Sequence, residues 1–135
     1  MKILLAYVPS ATAEAAFEFT VKEAKERGAS VLVLASERGA DPKKASAVAD
    51  DRSLTERLEE AGIDYELRVV PRRDDPADDI LVAAESGDID MVVLGIRRRT
   101  PIGKMLLGST SQRVIMESPC PVVCVKPKDF VPPTF

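Results

Sequence analysis

Five short runs of strand-forming apolar residues, Lys2 to Val8, Val31 to Ala35, Tyr65 to Val70, Met91 to Leu94 and Val122 to Val125, recur along the chain with helix-periodic segments between them. No other feature restricts the fold as much. The first run is almost continuously apolar instead of alternating, as a strand buried on both faces requires, and such strands belong to parallel sheets covered by helices. The intervening segments supply the cover. After Ser10, a residue suited to a helix N-cap, Ala13, Ala16, Phe17, Val21 and Ala24 follow at helical spacing, with Glu14, Glu18, Lys22 and Lys25 on the other side and Gly28 as the stop. Ser36 to Pro42 reads as a polar loop. Ser53 and Glu56 match a capping box, Leu54, Leu58 and Ala61 share a face, and Gly62 ends that segment. Ala77, Ile80, Leu81 and Ala84 give a third helical face ending at Gly87, and a fourth helix opens at Gly108-Ser109 and runs through Val114 and Ile115.

Five strands alternating with four helical segments predict an α/β domain with a parallel sheet and helices on both faces. Right-handed crossovers make the C-terminal strand ends the ligand-facing edge, with a crevice where the strand order reverses. The loops Val8 to Ser10, Ala35 to Arg38 and Gly95 to Ser109 are expected to converge there.

At 135 residues the chain has room for one domain and one core. A net charge of -3 argues against a general nucleic-acid binder, which carries a clear basic excess. No apolar run reaches the roughly 18 to 20 residues that span a bilayer, and the N-terminus enters a strand without a signal-like region, so a cytoplasmic protein with no membrane partner is expected. The absence of histidine rules out a Ser-His-Asp triad and histidine base catalysis, and with two cysteines leaves a zinc site almost without ligands. Cys120 and Cys124, four residues apart, read as two small buried residues too far apart along a strand for an easy bridge.

The sharpest local chemistry is Arg97-Arg98-Arg99 with Lys104, between Gly95 and Gly108-Ser109. Two readings compete. A solvated basic loop on an acidic protein needs no ligand, whereas a strand end, a basic loop and a helix start in succession form a common phosphate site. A P-loop is not present, because Arg98 stands where its first glycine belongs and Met105 follows Lys104 in place of Ser or Thr. The first strand-to-helix turn also lacks G-x-G-x-x-G, so a Rossmann dinucleotide site is unsupported. The acidic group Asp74, Asp75, Asp78 and Asp79 is read as a helix start, with Asp75 as cap and Pro76 in first position, and not as a metal site. Val8 and Ala35 end the first two strands, where a response regulator would need an acidic phosphoacceptor.

The whole chain resembles a single-domain universal stress protein, a family whose nucleotide-binding members carry G-x2-G-x9-G-[ST] after the fourth strand. The corresponding residues are Gly95, Arg98 and Gly108-Ser109, with arginine in place of the middle glycine. Asp75-Pro76-Ala77-Asp78 and Ser118-Pro119-Cys120-Pro121-Val122 agree as well. The resemblance implies a universal stress protein domain over residues 1–126, a C-terminal tail over 127–135, and a three-layer α/β/α sandwich of the adenine nucleotide alpha-hydrolase-like kind with strand order 3-2-1-4-5. It implies ATP or a related adenine nucleotide, with or without magnesium, near Ala6, Tyr7, Val8 and Ala35 for the base and Gly95, Arg97, Arg98, Gly108, Ser109, Thr110 and Ser111 for ribose and phosphates.

Two departures from the family pattern fall on that ligand. Val8 replaces the acidic residue usual in the ATP binders. Arg98 forbids a left-handed backbone yet brings a guanidinium that binds phosphate through two bonds. The resemblance further implies a stress-response homodimer paired through Val122, Val123, Cys124 and Val125, an apolar edge that a second copy would cover. The alternative is a nucleotide-independent dimeric adaptor whose protein partners read its surface. No residue is evidently placed to position a water, so ATP hydrolysis is not the expected activity.

Overall fold

The computed structural model describes residues 1–7, 11–36, 54–70, 76–96 and 108–127. Strands β1 (Lys2–Tyr7), β2 (Ser30–Ser36), β3 (Tyr65–Val70), β4 (Met91–Gly95) and β5 (Val122–Val125) form one parallel sheet in the order β3-β2-β1-β4-β5. Helices α1 (Ala11–Arg27), α3 (Ala77–Ser86) and α4 (Ser109–Glu117) accompany it, with residues 54–61 forming α2. The predicted doubly wound α/β sandwich and its strand order are therefore observed.

The two faces of the sheet explain the continuous apolar runs. Ile3, Leu5, Tyr7, Val31, Val33 and Val93 pack with Ala13, Ala16, Phe17 and Ala24 of α1 and Leu54 and Leu58 of α2. Leu4, Leu32, Leu34, Val92 and Leu94 pack on the opposite face with Ala77, Ile80, Ala83 and Ala84 of α3 and Val114 of α4. Successive residues of a strand point to opposite faces, so a strand covered on both sides must be apolar at every position. The outer strand β3 differs. Tyr65 and Leu67 pack on the first core, while Glu66 and Arg68 are exposed and paired at 2.7 Å.

Helix ends follow local backbone chemistry. Gly28 and Gly62 stop α1 and α2 in the left-handed region, at φ of 63° and 68°, which a side chain disfavours. The Ala29 N–H then donates to the Ala24 carbonyl at 3.0 Å, satisfying an orphan acceptor of α1. After α3 the outcome differs from the simple glycine rule: Gly87 has φ of -118° and the left-handed residue is Asp88, at φ of 54°. Aspartate tolerates that region better than most side chains. Pro76 adopts helical dihedrals and accepts the Ile80 N–H at 3.2 Å, while Asp75 lies outside the described residues. Within α1, Thr20 joins the buried face by returning its hydroxyl to the Ala16 carbonyl at 2.8 Å, so its polar atom is satisfied in place.

Cys124 lies in β5 and Cys120 just before it, and both are half-buried free thiols where full burial is expected from the sequence. The reason is their place at the edge of the sheet. Burial nonetheless raises the Cys124 thiol above its ordinary pKa. No helix among the described residues is long and apolar enough to cross a membrane.

Candidate functional site

The sheet divides at one end. β1 pairs with β2 as far as Tyr7 and Ala35, and β4 pairs with β5 as far as Gly95 and Val125. Between the inner strands, however, pairing stops at Leu5 and Val93, leaving Ala6 and Tyr7 on one side and Leu94 and Gly95 on the other. The C-terminal edge thus forks between β1 and β4. That is where the order β3-β2-β1-β4-β5 reverses direction along the chain, the position at which doubly wound sheets receive ligands.

Two helices begin at this fork. Each follows a strand that ends there and runs back toward the sheet's other end, where the Val92 N–H donates to the Pro121 carbonyl at 2.9 Å ahead of β5. α4 opens at Gly108, which is extended at φ of -65° and ψ of 161° and offers no side chain as a cap. The first bond of its ladder runs from the Gln112 N–H to the Gly108 carbonyl at 3.0 Å, so the first-turn amides of Ser109, Thr110 and Ser111 face out of the helix end. All three residues carry hydroxyl groups at this electropositive helix start, and a helix start of this kind suits an anion.

α1 comes to the fork closer than a side chain on β4 would allow. A methyl group added at Gly95 would fall on the Thr12 carbonyl, 2.7 Å from its carbon and 3.0 Å from the Thr12 Cβ. Gly95 is therefore needed for the seating of the first turn of α1 on the end of β4, whatever else it does.

Tyr7 closes the other tine. It is 1% exposed, meets the Phe17 ring edge-on at 6.5 Å, and donates its hydroxyl to Glu14 Oε1 at 3.2 Å. Glu14, in the first turn of α1, also accepts two hydrogen bonds from the Arg57 guanidinium of α2, at 2.9 Å to Oε1 and 2.7 Å to Oε2. That guanidinium lies 4.2 Å from the centre of the Phe17 ring. The bidentate bonds from Arg57 hold the Glu14 carboxyl below its ordinary pKa against the opposing effect of burial, and Glu14 raises Arg57 in turn. The half-buried pair stays fully charged near neutrality.

Of the residues singled out in the sequence, Ala6 and Tyr7 end β1, Ala35 sits beside Tyr7 on β2, Gly95 ends β4, and Gly108, Ser109, Thr110 and Ser111 form the start of α4. The topology brings all of them to one edge. Val8, Arg97 and Arg98 lie outside the described residues, as do Ser10, Ser53 and Lys104. Sequence reasoning missed the ion pair, because it set Glu14 on the outward side of α1 and gave Arg57 no part. The available signal was an acidic residue in a helix's first turn close behind a strand end.

The universal stress protein family model matches residues 1–126. A universal stress protein of Mycolicibacterium smegmatis is 35% identical over 131 residues, covering 95% of this chain and 99% of the relative. Among solved structures, a universal stress protein from Archaeoglobus fulgidus superposes with a TM-score of 0.75 at 31% identity, over 93% of this chain and 98% of that one. A structure of the universal stress protein from the same organism in complex with dAMP gives 0.69 at 28% identity, over 93% and 98% of the two chains. The sheet order is that of the adenine nucleotide alpha-hydrolase-like sandwich, and with the family model over nearly the whole chain and a relative 35% identical, the chain belongs to the universal stress protein family.

Proposed function

We propose that this protein binds an adenine nucleotide, ATP in the first instance, at the fork between β1 and β4 and acts as a nucleotide-responsive regulator of stress responses in the cytoplasm. The observation that carries this reading is the convergence of an unpaired pair of strand ends with the Gly108 helix start, on a fold shared with a dAMP-bound relative. The residues present fit such a ligand. Ala6 and Ala35 are small residues close to the strand ends, and the start of α4 suits ribose and phosphate oxygens. Among the described residues no group of three or more carboxylate, thiol or imidazole ligands stands ready for a metal. Magnesium, carried in with the phosphates, would keep several water ligands, as it commonly does at phosphate sites.

Isothermal titration at low ionic strength with ATP, ADP, AMP and cyclic AMP, each with magnesium, is expected to show saturable heat for at least ATP. Absence of heat with all four would remove the nucleotide reading and leave a dimeric adaptor in its place.

The assembly belongs to the same proposal. Val122, Val123, Cys124 and Val125 are all half-buried along an edge strand that, among the described residues, pairs with β4 on one side. Such an edge is a ready template for a second strand. Light scattering during gel filtration at micromolar protein is expected to give twice the chain mass of 14.6 kDa. A wild-type chain that elutes as a monomer at every concentration would exclude the interface.

A further inference from the structure

Glu14 places a full negative charge three residues into α1, about 5 Å along the helix axis from the end that faces the fork. A carboxylate there favours the helix dipole, and left uncompensated it would oppose an anion approaching the same edge of the sheet. Glu18, one turn on, adds to the negative field around Arg57. Arg57 answers that charge from a different helix. Its fork of two donors occupies both carboxylate oxygens, the Tyr7 hydroxyl takes a further position on Oε1, and the Phe17 ring supports the guanidinium from below. A salt bridge on a surface is usually dispensable, but here the geometry is bidentate, stacked on an aromatic ring and tied to the last residue of β1. It also closes a chain of contacts, from Tyr7 through Glu14 to the first turn of α1, and from Thr12 of that turn to Gly95.

We propose that Glu14 and Arg57 are positioning residues for the anionic ligand: Arg57 neutralises the carboxylate that seats the first turn of α1 between β1 and β4, and so sets how many phosphate charges the fork accepts. The proposal rests on the nucleotide reading above. It makes the two partners unequal. Loss of Arg57 leaves an uncompensated carboxylate in the first turn of α1, whose field repels phosphates, whereas loss of the Glu14 charge leaves an uncompensated guanidinium whose field attracts them. A pair that only packs helices together would give the same sign of effect from either side.

The test is the affinity of the full chain for AMP and for ATP, by titration calorimetry at low ionic strength, in the wild type and in Glu14→Gln, Arg57→Gln, Arg57→Lys and the double glutamine variant, with Tm recorded for each. Arg57→Gln is expected to weaken ATP binding about five- to tenfold and AMP binding less, since ATP carries more charge. Glu14→Gln is expected to tighten ATP binding by about threefold although its Tm falls. The double variant should return close to the wild-type ratio of ATP to AMP affinity. Arg57→Lys, which keeps the charge but not the two-pronged geometry, should lose Tm while holding that ratio.

If both glutamine variants shift affinity in the same direction in step with Tm, the pair is a packing device and the proposal fails. An unchanged ATP-to-AMP ratio in every variant also overturns it. A wild-type chain that binds neither nucleotide removes the nucleotide reading itself and the proposal with it, an outcome distinct from binding that is insensitive to the pair.

Discussion

Gly95→Ala is expected to destabilise the protein by about 2–3 kcal/mol, in the upper range for overpacking a filled site. The cost does not come from backbone conformation, since Gly95 is not among the glycines with positive φ. It comes from space. The added carbon would meet the carbonyl of Thr12, a backbone atom held within α1, so relief requires the whole first turn to shift and not the swing of a side chain. Because that turn is fastened to Tyr7 and Arg57 through Glu14, the shift would spread to both tines of the fork. Urea unfolding followed by far-ultraviolet circular dichroism, at fixed protein concentration because any association would add to apparent stability, gives the measurement. A loss below about 0.5 kcal/mol, the range of ordinary surface changes, would show that α1 can move aside at little cost.

Leu5→Ala is expected to cost about 3–4 kcal/mol, from lost transfer energy and the cavity that remains. Leu5 is 1% exposed at the middle of the central strand, between Val33 of β2 and Val93 of β4, in the core under α1. Pairing on both sides fixes β1, so the strand cannot collapse into the gap. The same truncation at Val82, 63% exposed on α3, is expected to change stability by less than about 0.5 kcal/mol. Equal losses at the two positions would contradict the placement of the core.

Much of this architecture is legible in the sequence because burial on both faces writes itself as an uninterrupted apolar run. Tyr65–Val70 and Val122–Val125 have the expected bounds, and Met91–Gly95 extends the expected run by one residue, the glycine that touches α1. What the sequence does not display is contact between elements. Glu14 and Arg57 are 43 residues apart and each falls on the polar side of its own helix, so periodicity assigns both to solvent. Thr20 escapes notice for the opposite reason, since its polarity hides a hydroxyl satisfied within its own turn. Gly95 illustrates a third limit. Its position in a ligand motif suggests close approach by a phosphate, but the atoms that need its missing side chain include those of Thr12. At Gly87 the sequence signal is displaced by one residue, because Asp88 takes the left-handed backbone.

The two outer strands of the sheet are chemically unlike, and this bears on how large an assembly can grow. β5 presents Val122, Val123, Cys124 and Val125, whereas β3 carries the exposed Glu66 and Arg68. Association of β5 with β5 would use one surface twice about a two-fold axis and consume it, giving a particle of two chains with no further site of the same kind. Association of β5 with β3 would join unlike surfaces head to tail and leave one of each open, so that growth would continue into a filament. The charged face of β3 disfavours the second route. If the chain pairs through β5 as proposed, the asymmetry of the edges would act as a stop on polymerisation.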